Sequence, residues 1–266
     1  IGRPVLGTEQ IVRGLARDDI ANYRTTGYTA PAVVFCAAGR VDHDVLVDLI
    51  ADAFDALPAT PRSVRTPATY KGGDHRTERD LEQMHIVLGL EGVGYKEDAF
   101  YAASVLSTLF GGGMSSRLFQ EIREERGLAY SIYSFLSCCE DSGMFGIYAG
   151  TGTDEVGELL PIIAGEAEKL IGTLSEDETA RARAQLKANI LMARESTSAR
   201  AEQLARHLML FDRPLDVAEL VEKIDAVDDA AVKAVAERLF KGTPTLAAIG
   251  PVSNVEAFDT LAARFA

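Results

Sequence analysis

Histidine is scarce in this 266-residue chain and badly spaced for holding a metal. No two of His43, His75, His85 and His207 stand at the helical spacings H-E-x-x-H or H-x-x-E-H, so no complete zinc site is legible. Cysteine is scarcer still. Cys36, Cys138 and Cys139 form an odd set with an adjacent pair, which gives no disulfide framework and leans towards a reducing, cytoplasmic compartment, with the periplasm as the alternative. Basic residues are outnumbered, 27 against 40 acidic, and the formal charge of -13 disfavours nonspecific binding to nucleic acid or anionic lipid. No apolar run approaches the roughly 18 residues that span a bilayer. The opening Ile1-Gly2-Arg3-Pro4 lacks the charged-then-apolar order of a signal peptide. Nucleic acid and membrane are therefore not expected partners. What is present is a 47% hydrophobic composition, enough for a sizeable core in one or two domains.

The chain carries an internal echo. Residues 8–24 read as helix, with Thr8 and then Asp18 as N-cap candidates, and 32–38 (AVVFCAA) is an apolar, β-branched run of strand length ended by Gly39. Asp42 then caps a helix whose Val45, Leu46, Leu49, Ile50, Ala53 and Phe54 share one face. The last 40 residues repeat this order: an Asp228-capped helix, a strand over 245–249, and a turn at Gly250 into a final helix, with Ser253 in the N-cap place. Gly39 to Phe54 and Gly250 to Phe265 are both 15 residues. This spacing predicts a duplication in which residues 1–57 are the C-terminal third of a first repeat, 58–74 a Pro/Thr/Ser/Gly-rich linker, and 75–266 a complete second repeat. Roughly 130 residues or more of the first repeat are then expected upstream.

Within the second repeat, strand signals over 76–90 precede a helix over 98–110, a Gly111-Gly112-Gly113 break, and a short helix over 117–125 capped by Ser115 or Ser116 and stopped by Gly127. Two strands, 130–139 and 144–150, flank the turn at 140–143 as a hairpin. Helices follow over 155–174, over 176–194 with a Ser175/Glu178 capping box, and over 198–211. Hairpin strands segregated from runs of helix argue α+β, a mostly antiparallel sheet with helices packed on one face.

The chemistry concentrates in residues 110–134, FGGGMSSRLFQEIREERGLAYSIYS. The glycine run lacks the Lys-Ser/Thr ending of a phosphate loop and follows a helix, so it is read as a helix-to-helix turn needing positive φ. Arg123, late on the short helix, and Tyr130, just after the reversal at Gly127, can converge on one cleft. A fork of five N–H donors beside a phenol suits binding a peptide carbonyl or its developing oxyanion. The competing expectation is that Arg123 simply pairs with Glu121, Glu124 or another acid and Tyr130 is a core-edge aromatic. His85 is read as a satisfied sheet histidine, His207 as core or interface, and His43 as a solvated first-turn residue. Cys138 and Cys139 are expected to be structural rather than redox-active, and acidic residues such as Glu166, Glu168, Glu176, Asp177 and Glu178 to be solvated.

The block S-S-R-L-F-x-x-I-R-E-x-x-G-L-A-Y at 115–130, with LEQMHI at 81–86 and GRPVLG at 2–7, resembles the pitrilysin-like zinc metallopeptidases, in particular the bacterial counterparts of mitochondrial processing peptidase. The resemblance implies two homologous α+β domains facing each other across a chamber. It implies an inverted zinc motif, H-x-x-E-H, with its general-base glutamate and a distant glutamate ligand, all upstream of this chain. Arg123 and Tyr130 would then be the second domain's substrate-binding pair. Zinc would belong to the full-length metalloendopeptidase and not to this chain, which alone is expected to be inactive. The implied partners are an unfolded peptide as substrate, and a homodimer mate or a paired catalytic subunit. A noncatalytic peptide-binding or partner subunit of the same family is the alternative.

Overall fold

A computed structural model of the chain describes residues 4–61 and 66–266. Gly2 and Arg3 of the opening motif, and part of the expected linker, lie outside the described residues. The chain divides into two compact units, one of residues Ile1–Ala68 with Ala193–Pro214, the other of Thr69–Met192 with Leu215–Ala266.

The larger unit is a five-stranded sheet in the order β1-β5-β2-β4-β3, formed by β1 (Gly73–Glu78), β2 (Met84–Glu91), β3 (Ala129–Cys138), β4 (Gly143–Thr151) and β5 (Thr245–Gly250). Only β1 and β5 run parallel; the other neighbours are antiparallel. The period-2 pattern sends Met84, Ile86, Leu88 and Leu90 of β2, with Phe145 and Ile147 of β4, to one fully buried face. On that side lie α4 (Phe100–Gly111), α5 (Val156–Thr173) and α9 (Asp229–Leu239), with α4 against β3 and α9, and α9 against α5. The core closes around three rings: Phe110 lies 6.3 Å from Phe145 and 5.0 Å from Phe240, centroid to centroid, and Phe145 and Phe240 are 5.6 Å apart. The architecture is thus the expected α+β, with helices on one face. The helix α8 (Val217–Asp225) is additional to the sequence expectation.

The glycine run acts through space rather than through backbone sign. Gly111, Gly112 and Gly113 have no positive φ. A Cβ on Gly111 would lie 2.3 Å from Ser134 N, and one on Gly112 2.5 Å from Thr108 Cα, so close backbone packing is what excludes side chains there. Gly127, by contrast, stands at φ 67° and does reverse the chain. Two acids expected at the surface are engaged: Glu166 is buried and accepts a 2.6 Å bond from Lys169, and Glu178 pairs with Arg117. Glu166 is covered within its own helix neighbourhood beside an exposed i,i+3 lysine, and Glu178 is drawn into the contact between helices by Arg117.

Tyr70 fastens the start of this unit to the sheet. Its hydroxyl donates to Gly89 O at 2.9 Å and lies 2.8 Å from Thr245 Oγ1, and burial raises its pKa. Removing that hydroxyl leaves a half-buried carbonyl short of a donor, so Tyr70→Phe is expected to cost about 1 kcal/mol in urea denaturation.

The smaller unit contains α1 (Glu9–Gly14), α2 (Arg17–Gly27), α3 (His43–Phe54) and α7 (Thr197–Phe211). The expected helix over 8–24 is broken at Leu15-Ala16, where both residues are extended; Thr8 caps α1, but α2 opens with Asp19, not Asp18, accepting from Ala16 N–H at 2.9 Å. Asp42 caps α3 as expected. The apolar run at 32–38 forms no strand: a short turn over Ala30–Ala32 leads into an extended segment with no partner strand among the described residues. The stripe on α3 likewise meets no core, with Leu49 62% and Val45 57% exposed. Amphipathic segments of this kind bury their stripe when a second layer is present.

The echo between the two ends holds at its turning points. Gly39 has φ 126° and Gly250 φ 130°, and the helices preceded by Asp42 and Asp228 both use the carboxylate as cap. It fails at Ser253, which sits in a short turn, Val252–Asn254, the final helix starting only at Phe258.

Candidate functional site

Residues 116–130 are shaped by two departures from regular backbone. Ser116 starts the segment, its hydroxyl donating to Gly113 O at 2.6 Å and its carbonyl accepting from Gln120 N–H at 3.0 Å. Over Phe119–Glu125 the helix widens to a π-helical turn, a form concentrated at functional sites. Leu118 and Ile122 are fully buried and fix its inner side. Leu128 N–H closes the far end on Ile122 O at 2.9 Å.

The second departure is a bulge where β3 begins. The β3–β4 register shifts between Ala129 and Ser131, leaving Tyr130 as an extra residue. Ala129 and Ile132 stay buried while Tyr130 is 71% exposed, so the bulge turns its ring away from the core.

Together these irregularities bring Arg123 and Tyr130 into contact. The Arg123 guanidinium carbon lies 5.4 Å from the Tyr130 ring centroid and 4.8 Å from that of Phe119. Two aromatic rings therefore hold the guanidinium, each contact contributing about 0.5–1 kcal/mol at an exposed position. The expected acidic pairing does not occur. Glu121 is taken by Arg126 at 2.6 Å, and among the described residues Arg123 has no hydrogen-bond or ion-pair partner. An always-charged fork is left with its donors unspent. Phe119 is absent from the sequence reading; its spacing of four residues from Arg123 is the signal that could have revealed it.

Beyond the bulge, on the sheet face away from the core, Tyr133 stacks on Tyr148 at 5.0 Å and Phe135 covers the hollow at Gly146, where a Cβ would stand 2.3 Å from its ring. His85 Nδ1 lies 2.8 Å from Tyr148 Oη, in agreement with a satisfied sheet histidine. Burial, and then the neighbouring Tyr133, raise the Tyr148 phenol. His207 is buried with its ring beside Phe211, and His43 is exposed at the start of α3. Among the described residues no three His, Cys, Asp or Glu side chains group so as to hold a metal ion. The described residues thus offer no ligand set for a resident zinc.

Cys138 packs against the core, and burial, then the adjacent Cys139 and Glu97, push its thiol up to about 11. At pH 8 iodoacetamide is accordingly expected to alkylate exposed Cys139 while Cys138 stays unmodified, its labelling rising about tenfold per pH unit until the pH nears 11. Peptide mass mapping distinguishes the two sites.

The profile of a family described as the Peptidase M16 inactive domain matches residues 14–186, well over half of the chain. The chain belongs to the M16 peptidase family. An uncharacterized zinc protease of Streptomyces coelicolor is 36% identical to this M16 chain, across 97% of it and 58% of the relative. Uncharacterized zinc proteases of Rickettsia bellii and Bacillus subtilis are 35% and 31% identical, the chain covering 63% of each. The chain therefore spans about three-fifths of the length of these relatives. A chain of complex III2 from Candida albicans shares the fold at a TM-score of 0.86 and 24% identity, over 99% of this chain and 66% of that one. No helix among the described residues is long and apolar enough to cross a membrane.

Proposed function

We propose that this chain is the substrate-holding, C-terminal portion of a zinc metalloendopeptidase, with Arg123 and Tyr130 as its peptide-binding pair. The observation that carries this is the Arg123 guanidinium, held by two rings with no acid to neutralise it. In such a site Arg123 donates to a carbonyl of an extended peptide, and the exposed Tyr130 hydroxyl supplies a second donor beside it. Their hydrogen bonds strengthen as negative charge develops on that oxygen. Zinc, which names the relatives, would supply Lewis acidity from residues outside this chain. The uncovered stripe of α3, the unpaired segment after Ala32 and the matching φ of Gly39 and Gly250 support reading residues 1–57 as the tail of a first repeat and 75–266 as the second, with 58–74 between them.

Zinc analysis and peptide hydrolysis, run side by side on the full-length protein and on the 266-residue chain, test the proposal. Hydrolysis is expected only from the full-length protein, with about one zinc per molecule. Enzyme-like turnover by the metal-stripped chain contradicts it. A full-length protein that binds peptide without cleaving it would be a noncatalytic binding or partner subunit.

A further inference from the structure

Arg117 lies just ahead of the π-turn, and its entire fork is engaged. Its Nε and one terminal nitrogen grip the Glu178 carboxylate at 2.7 and 2.9 Å. The other terminal nitrogen donates to Thr173 Oγ1 at 2.9 Å, and a further bond reaches Thr173 O at 3.2 Å. Glu178 is at the same time the closing residue of the capping box that opens α6 (Glu176–Ala193), accepting from Ser175 N–H at 3.1 Å and from its hydroxyl at 3.0 Å. The ion pair is largely withdrawn from water, with side-chain exposures of 13% and 21%. Burial works to raise the Glu178 carboxyl, but Arg117 and Ser175 outweigh it and hold the carboxyl below its ordinary range. One clasp thereby ties three things together: the end of α5, the first turn of α6 and the entry to the π-turn.

A turn that bonds five residues ahead is a rare, single-turn winding within a helix, and Arg117 stands two residues before it starts. Gln185 Nε2 donates to Gly112 O at 2.8 Å and so ties the preceding glycine turn to α6 as well. On the exposed side of the π-turn Gln120 Nε2 donates to Met114 O at 2.6 Å and Glu121 accepts from Arg126 Nε at 2.8 Å, whereas Arg123 itself meets only rings.

We infer that Arg117, clasped to Glu178, is a positioning residue that sets the phase of the π-turn and thereby holds Arg123 between Phe119 and Tyr130. The inference rests on the proposed peptide-binding role of Arg123 for its functional consequence, but not for its geometric content.

The test uses the 266-residue chain with arginine labelled in nitrogen-15 and carbon-13, and Arg117→Lys and Glu178→Gln as variants. The first keeps the charge and loses the fork; the second keeps the size and loses the charge. The Arg123 side-chain signals, assigned by their loss in Arg123→Lys, are expected to show the displacement that neighbouring ring currents impose. In both variants this displacement should fall by about half or more while the melting transition remains cooperative. Affinity for an unstructured fluorescent peptide should drop about tenfold. In an Arg123→Ala background the same two substitutions should change affinity less than about twofold, because they act through Arg123. Unchanged Arg123 signals in the variants overturn the inference, as does an undiminished affinity loss in the Arg123→Ala background. Should Arg117→Lys fail to fold, Glu178→Gln decides. If the chain binds no peptide, the proposed function fails, while the spectra still decide whether Arg117 positions Arg123.

Discussion

Under the proposed peptide-binding role, Arg123→Ala in the full-length protein is expected to lower kcat/KM for an unstructured peptide by about 10²–10³-fold, the cost of removing one donor from a developing oxyanion. The loss should fall mainly on kcat if the contact forms only in the transition state, and on KM instead if the ground-state carbonyl is held as firmly. Arg126→Ala is the matched control. It removes a neighbouring surface arginine whose side chain is 46% exposed and occupied with Glu121, and should leave kcat/KM within about twofold. Arg123→Lys should recover only part of the loss, since an ammonium keeps the charge but not the planar fork. Thermal stability should move little in all three, because none of these side chains enters the core. Steady-state kinetics across the three variants separates a specific donor from a general effect of surface charge.

The largest stability effect is expected at Phe110. Its ring is fully buried and meets both Phe145 and Phe240, so truncation removes three-way aromatic packing where α4, β4 and the end of α9 converge. Phe110→Ala should cost about 3–5 kcal/mol. In a unit of this size that corresponds to a fall in Tm on the order of 10 °C. Scanning calorimetry gives the stability term, and peptide affinity measured well below the transition shows how far the loosened core reaches the surface. Phe110→Leu, which keeps most of the apolar volume, should lose less than half as much.

The larger unit was legible in the sequence because its elements obey local rules. The apolar run of β2, the Ser175/Glu178 capping box, the turn between β3 and β4 and the aspartate caps at Asp42 and Asp228 all state short-range preferences that the fold satisfies. Failures cluster where a partner rather than a preference decides. The apolar run at 32–38 has strand composition, yet a strand exists only when another backbone pairs with it, and none among the described residues does. Glycine permits the positive φ expected of the run, whereas the requirement at Gly111 is space beside the Ser134 backbone, which no short-range pattern encodes. Glu178 looked like solvated surface because its partner Arg117 is 61 residues away, whereas Glu166 has its partner Lys169 three residues on in the same helix, a pair that spacing alone could have shown.

The site shows the same division. That Arg123 and Tyr130 meet follows from a short helix, a glycine reversal and a strand start, all readable from spacing. How they meet does not. Neither the π-helical turn nor the bulge has a composition of its own, and both arise from the fit of Leu118, Ile122 and Ala129 into the core. Those two irregularities place the guanidinium beside the Phe119 and Tyr130 rings, with no ion-pair partner among the described residues.

The account turns on that unpaired guanidinium, and equilibrium binding tests it most directly. An unstructured, fluorescently labelled peptide is titrated into the 266-residue chain and into its Arg123→Ala variant at fixed ionic strength. Saturable binding by the chain, weakened at least about tenfold in the variant, is the expected result. Equal affinity in the two proteins would contradict the account, since Arg123 would then be a solvated arginine resting on two rings.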